Sequence, residues 1–524
     1  MRFRAAVIGF SVLVLVVTGC TKSSSSSSPK PSGSTSAQPH RGGVATLGTS
    51  YEPPSLDPAL CGGSASFSHC EPVFDTLLRY DYTAQKMVPQ LAQSFDSTDG
   101  KTWILKLRNG VTFSDGTPLN ADAVMFNWDR IRDPKTLSPA VGAVAGVQWE
   151  KVDDLTVKVT LDKVNYQMPT KLSVQIGCIG SPTAIRSAGV EVGSRPVGAG
   201  PFTLTKWTRG TEADYAANPH YWQKGLPYLD GLVIKNIPND TQRQNAFLTG
   251  DLTLGLSVRT QETKTVKNAG YQIIGPAPMT AGTGFGMNLR DPLLQDADLR
   301  AALLGALNAQ QIESAVYPGD TAPDALLAPG NPIRDDKAGL YPKYDLEQAQ
   351  QRFAAYLKRA GKSSETLTLT AFSGSPALEQ GAQLMQAQLS QIKGLTVKLE
   401  PLDIPTVVSR LTAGKFQLIQ GASNLPFNDG LYDTYHTGGT LNSYGYSNPT
   451  VDAALDVTRT SGDPKVVAEA YGKAAGEISK DPPLRYYRYL TPVIWEQHNV
   501  HGLTTLTLFG SGLGVYWENV WIDK

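Results

Sequence analysis

Residues Pro89 to Arg130 read PQLAQSFDSTDGKTWILKLRNGVTFSDGTPLNADAVMFNWDR, and this stretch decides the fold. Asp99-Gly100 is a hairpin-type dipeptide. After it, Thr102, Ile104, Lys106 and Arg108 fall on one face and Trp103, Leu105 and Leu107 on the other. That alternation describes a half-buried strand. Asn109-Gly110 and Asp115-Gly116 mark two further turns, with Val111-Thr112-Phe113 expected as a strand between them. Asn120 then suits an N-cap, and Ala123, Val124, Phe126 and Asn127 follow at helical spacing. The stretch therefore predicts a small α+β unit.

Strands and helices continue to alternate outward from it. Val157, Val159 and Leu161 against Lys158 and Thr160 predict a strand over 152–161. Tyr344 to Gly361 reads as an amphipathic helix with a Gly stop. Thr366–Phe372, Leu378–Ile392 and Leu395–Leu399 read strand, helix, strand, which favours parallel pairing. The turn Gly198-x-Gly200-Pro201 lacks both the Lys-Ser/Thr of a phosphate loop and the GxGxxG frame, and reads as structural.

Pro89–Arg130 also closely resembles the signature of the extracytoplasmic solute-binding proteins of family 5, the peptide, dipeptide and nickel group of ABC importers. Phe74–Asp81, the run RPVGAGPFTLTKWTRGTEADYAANPHYW over 195–222, and Tyr446-Ser447-Asn448-Pro449 with Val451-Asp452 resemble further segments of that family. The helix from Asp298 to Leu307 does so too, with Asn308 where the family usually has Asp. The resemblance runs from about Val44 to the C-terminus. It implies an α/β fold of the periplasmic-binding-protein type II (cluster C) kind, two lobes with a hinge plus an additional small α+β domain. Lobe I is then expected from three pieces, 43–73, 194–283 and 493–524. Residues 74–193 form the extra domain and 284–492 the other lobe.

The N-terminus carries its own signal. Arg2 and Arg4 precede an apolar run from Ala5 to Val17 that is shorter than the roughly 20 residues of a membrane span. Val17-Thr18-Gly19-Cys20 resembles the bacterial lipobox, which implies a signal peptide over 1–19, lipidation at Cys20 and a place outside the cytoplasm on the cell membrane. Residues 20–42 are rich in Ser and Pro and predict a disordered tether. Roughly 480 residues follow, enough for two or three domains. Lys and Arg number 47 against 47 Asp and Glu, with no basic run, so nucleic acid is excluded as a partner. Three cysteines remain after Cys20. Cys61 and Cys70, close in a Gly/Ser-rich loop, are the first choice for a disulfide. Cys178 is expected as a buried thiol, and a Cys61–Cys178 bridge stays open.

No GxSxG, HExxH or zinc-spaced Cys/His set occurs, and the six histidines are scattered. No enzyme activity, cofactor or metal is expected. The resemblance implies a monomeric receptor that captures a solute, an oligopeptide or peptide-like molecule first, between its lobes and passes it to ABC permease subunits in the membrane. An extracytoplasmic hydrolase and a sensor without transport are the alternatives. The expected ligand wall is Tyr51, Glu52, Phe285, Asn288, Asn424, Phe427, Asp429, Tyr435 and Tyr444. Peptide-binding members carry G-W-x-x-D, whose Asp pairs with the ligand ammonium. Here Ala422 replaces the Trp, and the Asp position falls on Leu425, or Asn424 if shifted. Asp429 and Asp433 remain as substitutes by a different route.

Overall fold

The deciding stretch folds as a β-hairpin followed by a capped helix. Strand Ala92–Asp96 pairs antiparallel with Thr102–Leu107, and Gly100 takes φ +67° in the turn between them. Asp99 Oδ1 accepts from the N–H groups of Lys101 and Thr102 at 2.8 and 2.7 Å, closing the turn. The segment Val111–Phe113 makes only one bridge, Thr112 to Pro118, instead of the expected strand. Phe113 N–H bonds to the Thr117 carbonyl and Leu119 N–H to the Val111 carbonyl across this bridge, and the Asp115-Gly116 turn on one side and the Asn120 helix cap on the other leave no room for a longer ladder. Asn120 Oδ1 then accepts from Ala123 N–H at 3.0 Å and starts the helix Ala121–Arg132. Trp128 on that helix is buried and donates to the Ile176 carbonyl at 2.9 Å. Arg130 forms a two-pronged pair with Asp57 at 2.8 and 2.7 Å, which ties the helix to the loop after the first strand.

The structure is a computed structural model describing residues 38–524 apart from 62–66, 82–85, 276–279, 426–427, 504–505, 510–511 and 524. The signal peptide, Cys20 and most of the tether lie outside the described residues. His40–Lys524 forms one compact unit. Among the described residues no helix is long and apolar enough to cross a membrane.

Three sheets organise that unit. The hairpin belongs to a four-stranded antiparallel sheet in the order Ala92–Asp96, Thr102–Leu107, Thr156–Leu161, Val147–Asp153. A seven-stranded sheet runs Gln272–Ile274, Val493–Glu496, Leu254–Ser257, Val44–Thr49, Gly231–Asn236, Glu212–Ala217, Phe202–Thr208. Its first strand in sequence, Val44–Thr49, lies between two parallel neighbours. A five-stranded sheet runs Leu395–Leu402, Glu365–Phe372, Leu418–Leu425, Thr280–Met287, Leu484–Tyr489. Within it Glu365–Phe372 and Leu395–Leu402 pair in parallel, with helix Pro376–Leu389 between them in the chain.

The seven- and five-stranded sheets are joined twice by short runs of chain. One leads from Gln272–Ile274 to Thr280–Met287, the other from Leu484–Tyr489 to Val493–Glu496. In each sheet the two linked strands are hydrogen-bonded neighbours. Paired crossings of this kind are the element from which a hinge between two lobes is built.

Cys61 and Cys70 form a disulfide, and Cys178 is a free thiol buried in the same apolar core. Burial, with Glu71 and Asp75 nearby, pushes the Cys178 thiol well above its usual range, so it packs as a small hydrophobe.

Candidate functional site

The site grows from a glycine pattern. Strand Thr280–Met287 reads TAGTGFGM, with Gly282, Gly284 and Gly286 at every second position. Alternation sends Phe285 and Met287 to the opposite face, into a core with Leu303, Ile312 and Met385. On the glycine face the rings of Tyr486 and Tyr444 lie directly on the backbone. A Cβ on Gly282 would stand 2.5 Å from the Tyr486 ring, and one on Gly286 2.6 Å from Tyr444. Gly421, on the adjacent strand, makes the same allowance for the Tyr444 hydroxyl at 2.5 Å. Close approach, not backbone conformation, requires glycine at these places.

The tyrosine face is polar inside an apolar core. Tyr435, Tyr444 and Tyr486 are buried together with Ile419, Leu431 and Leu484. The Tyr435 and Tyr486 hydroxyls interact with each other, and Tyr486 also with Ser423, but none of the three hydroxyls has a partner of good hydrogen-bond geometry. Burial pushes the Tyr486 phenol up to about 12 and raises those of Tyr435 and Tyr444 further. They stay protonated at neutral pH and act as neutral donors. A buried hydroxyl left without a well-placed partner costs about 1–3 kcal/mol.

Beside this face stands a buried ion cluster. Asp429 precedes the short helix Gly430–Tyr435 and Asp433 lies on it, four residues on. Two like charges at that spacing repel unless cations compensate them. Lys171 Nζ donates to Asp433 Oδ2 at 2.6 Å and reaches Asp429 Oδ2 at 2.9 Å. Arg459, from helix Pro449–Thr460, donates from Nε to Asp429 Oδ1 at 3.0 Å and from Nη2 to Asp433 Oδ1 at 2.8 Å. Its guanidinium lies 3.5 Å from the centre of the Tyr432 ring, whose other partner is His436, stacked at 4.2 Å. Burial drives the Asp429 carboxyl upward, but Lys171 and Arg459 outweigh it and hold the group below the usual carboxylate range. Burial likewise disfavours the Lys171 ammonium, and the two carboxylates more than offset this, so its pKa is raised.

The expected wall is only partly assembled here. Asp429, Tyr435 and Tyr444 belong to the cluster or to the tyrosine face. Phe285 points to the other side of its strand. Asn288 spends its side chain on the backbone, donating to the Gly414 and Phe416 carbonyls and accepting from Arg290 N–H. Glu52 binds Trp207 Nε1 at 2.7 Å and Gly210 N–H at 2.8 Å within the seven-stranded sheet's own loops. Tyr51 is exposed. Asn424 sits near the end of its strand, paired with Ala281, and Phe427 lies outside the described residues. A separate surface cavity of about 280 Å³ is lined by Gln93, Arg108, Asn109, Gly110, Val111 and Trp222 and includes none of the wall residues. Trp222 lines this cavity and donates to Asp75 at 2.7 Å.

Lys171, Arg459 and Tyr486 were not among the expected residues. A signal existed for the first two, since an Asp-x-x-x-Asp pair on one helical face demands a cation. Nothing in the sequence says which cation answers. Among the described residues no group of three or more His, Cys, Asp or Glu is placed to hold a metal.

Comparison with known proteins gives consistent results. The family model described as bacterial extracellular solute-binding proteins, family 5 Middle, matches residues 86–445. The glutathione-binding protein GsiB of Pectobacterium atrosepticum is 27% identical over 363 residues, 69% of each chain. Among solved structures, AgaA from A. tumefaciens R10 in complex with agropinic acid is similar at a TM-score of 0.79 and 24% identity, over 92% of this chain and 99% of that one. The Helicobacter pylori protein DppA with peptide STSA aligns at a TM-score of 0.78 and 23% identity, over 93% and 99%. The fold is that of the type II periplasmic binding proteins.

Proposed function

We propose, since this chain belongs to the bacterial extracellular solute-binding proteins of family 5, that it captures a peptide or peptide-like solute between its two lobes and delivers it to an ABC permease. The observation that carries this reading is the charge-balanced Asp429–Asp433 pair at the meeting of two bodies, answered by Lys171 from the body of the four-stranded sheet. The relatives' ligands support the class: glutathione for GsiB and peptide STSA for DppA. Both carboxylates of the acid pair are already occupied by Lys171 and Arg459. A free ligand amine therefore has no idle acid at Asp429 or Asp433 to pair with.

Native mass spectrometry of the purified protein tests the reading. The expected result is a co-purifying peptide-like solute that leaves on unfolding. Turnover of peptide or ester libraries, or no stabilisation by any peptide pool, would overturn it.

The chain is also read as lipid-anchored through Cys20, because one acyl chain alone holds a protein only marginally and the lipobox pattern supplies several. Membrane fractionation checks this. Cys20→Ser is expected to move the protein from the membrane pellet to the soluble extract, and an unchanged pellet sinks the anchor.

A further inference from the structure

Lys171 closes helix Met168–Leu172, which belongs with the four-stranded sheet. The acids it binds belong with the five-stranded sheet. The cluster therefore joins two bodies that are not linked directly by chain. Their contact continues around it. Tyr166 N–H donates to the Arg459 carbonyl at 2.8 Å, and Gln167 Nε2 to the Thr458 carbonyl at 3.2 Å. Both acceptors lie in the last turn of helix Pro449–Thr460, where carbonyls have no partner inside the helix. Gly142 packs so closely on Thr440 that a Cβ would stand 2.8 Å from its Oγ1.

A second strap lies at the crossings. Arg488, one residue from the end of strand Leu484–Tyr489, pairs with Asp320 at 2.7 Å and donates to the Val258 carbonyl next to the seven-stranded sheet. A strap beside the axis is preserved when the lobes turn. One at the far edge must break.

We infer that Lys171 is a releasable latch that holds the four-stranded body, tied to the seven-stranded lobe through Arg130 and Asp57, closed against the five-stranded lobe by entering its Asp429–Asp433 pair. The inference rests on the two-lobe receptor reading only in requiring that the lobes move. Charge balance explains why release is tolerable. In the latched state Lys171 and Arg459 face two carboxylates, and the buried group is neutral. On opening, Arg459 keeps both carboxylates on its own body, while Lys171 is hydrated instead of being stranded in an apolar interior. The helix carbonyls of Thr458 and Arg459 pass to water in the same step. A buried pair that breaks into water in this way is reversible, unlike one that breaks inside a core.

Double electron–electron resonance on the full-length protein, spin-labelled through Val190→Cys and Val466→Cys, reads the lobe separation. Both positions are exposed, and Cys178 is buried and inert to the label. The solute-free protein is expected to show a dominant short distance. Lys171→Met is expected to raise the ratio of long to short populations about tenfold, and Lys171→Arg to leave it near that of the parent. A charge-swapped K171D/D433K protein restores the short distance. A folded K171M protein with the parent's distribution overturns the latch. So does a folded swap that stays open, which keeps the test decisive if K171M does not fold. Adding solute afterwards addresses the receptor reading separately, because loss of binding leaves the solute-free distances unchanged.

Discussion

Asp429→Ala is expected to lower stability by about 3 kcal/mol, at the lower end of the cost of breaking a buried ion pair. Asp429 is 2% exposed and accepts from both Lys171 and Arg459. Its removal leaves two buried cations facing Asp433 alone. That remaining carboxylate keeps the cost from rising further. The midpoint of urea unfolding, at unchanged slope, measures the effect. The pH dependence follows from the direction of each shift. Asp429 is depressed in the folded state, so its contribution is present above the ordinary carboxylate value of about 4 and is lost as pH falls through the lower folded value. Lys171 is raised, so its contribution is present below about 10.4 and is lost as pH rises through the folded value. Parent and variant should therefore differ most between about pH 5 and 10 and converge in strong acid. A midpoint unchanged at pH 7, with solute binding abolished, would instead make Asp429 a ligand partner with no structural duty.

Gly282→Val is expected to cost about 3 kcal/mol, and Gly286→Val a similar amount, through overpacking of a filled core. In each case the first added carbon meets an aromatic ring near 2.5 Å, well inside contact distance, and the branched side chain adds more. The rings cannot retreat, since Tyr486 and Tyr444 are buried among Ile419, Leu431 and Tyr435. The contrast is Gly110→Ala, at φ +76° with nothing within 4 Å of the added carbon. That change costs about 1 kcal/mol from backbone strain alone. Urea midpoints for the three variants separate space from conformation. Equal losses in all three would refute close approach as the reason for the glycines in Thr280–Met287. Near-UV dichroism of the Val variants should fall as well, because the displaced rings are the reporting chromophores.

The candidate site was less legible than the fold, and particular residues explain why. Tyr435, Tyr444 and Asp429 were readable because they lie in the segment that departs most from the family pattern. Glu52 and Asn288 were readable only as polar members of the expected ligand wall. Their actual partners, Trp207 with Gly210 and the Gly414 and Phe416 carbonyls, lie more than 120 residues away in the chain. Phe285 lies one position from glycines that face the tyrosines, and period-two alternation alone sends it into the opposite core. Val111–Phe113 had the composition of a strand, but the Asp115-Gly116 turn and the Asn120 helix cap leave its partner segment only the length of one bridge.

Features governed by local rules were legible in the chain. The Asp99-Gly100 turn, the Asn120 cap, the strand–helix–strand run over 365–402 and the family motifs each depend on residues a few positions apart, where turn chemistry and side-chain period act directly. Only the tertiary structure decided which charges meet. Lys171 stands some 260 residues before Asp433, and nothing in VNYQMPTKL distinguishes its lysine from a solvated one. A charge becomes a buried partner only when two separately folded bodies exclude water from around it, and that depends on how the bodies come together.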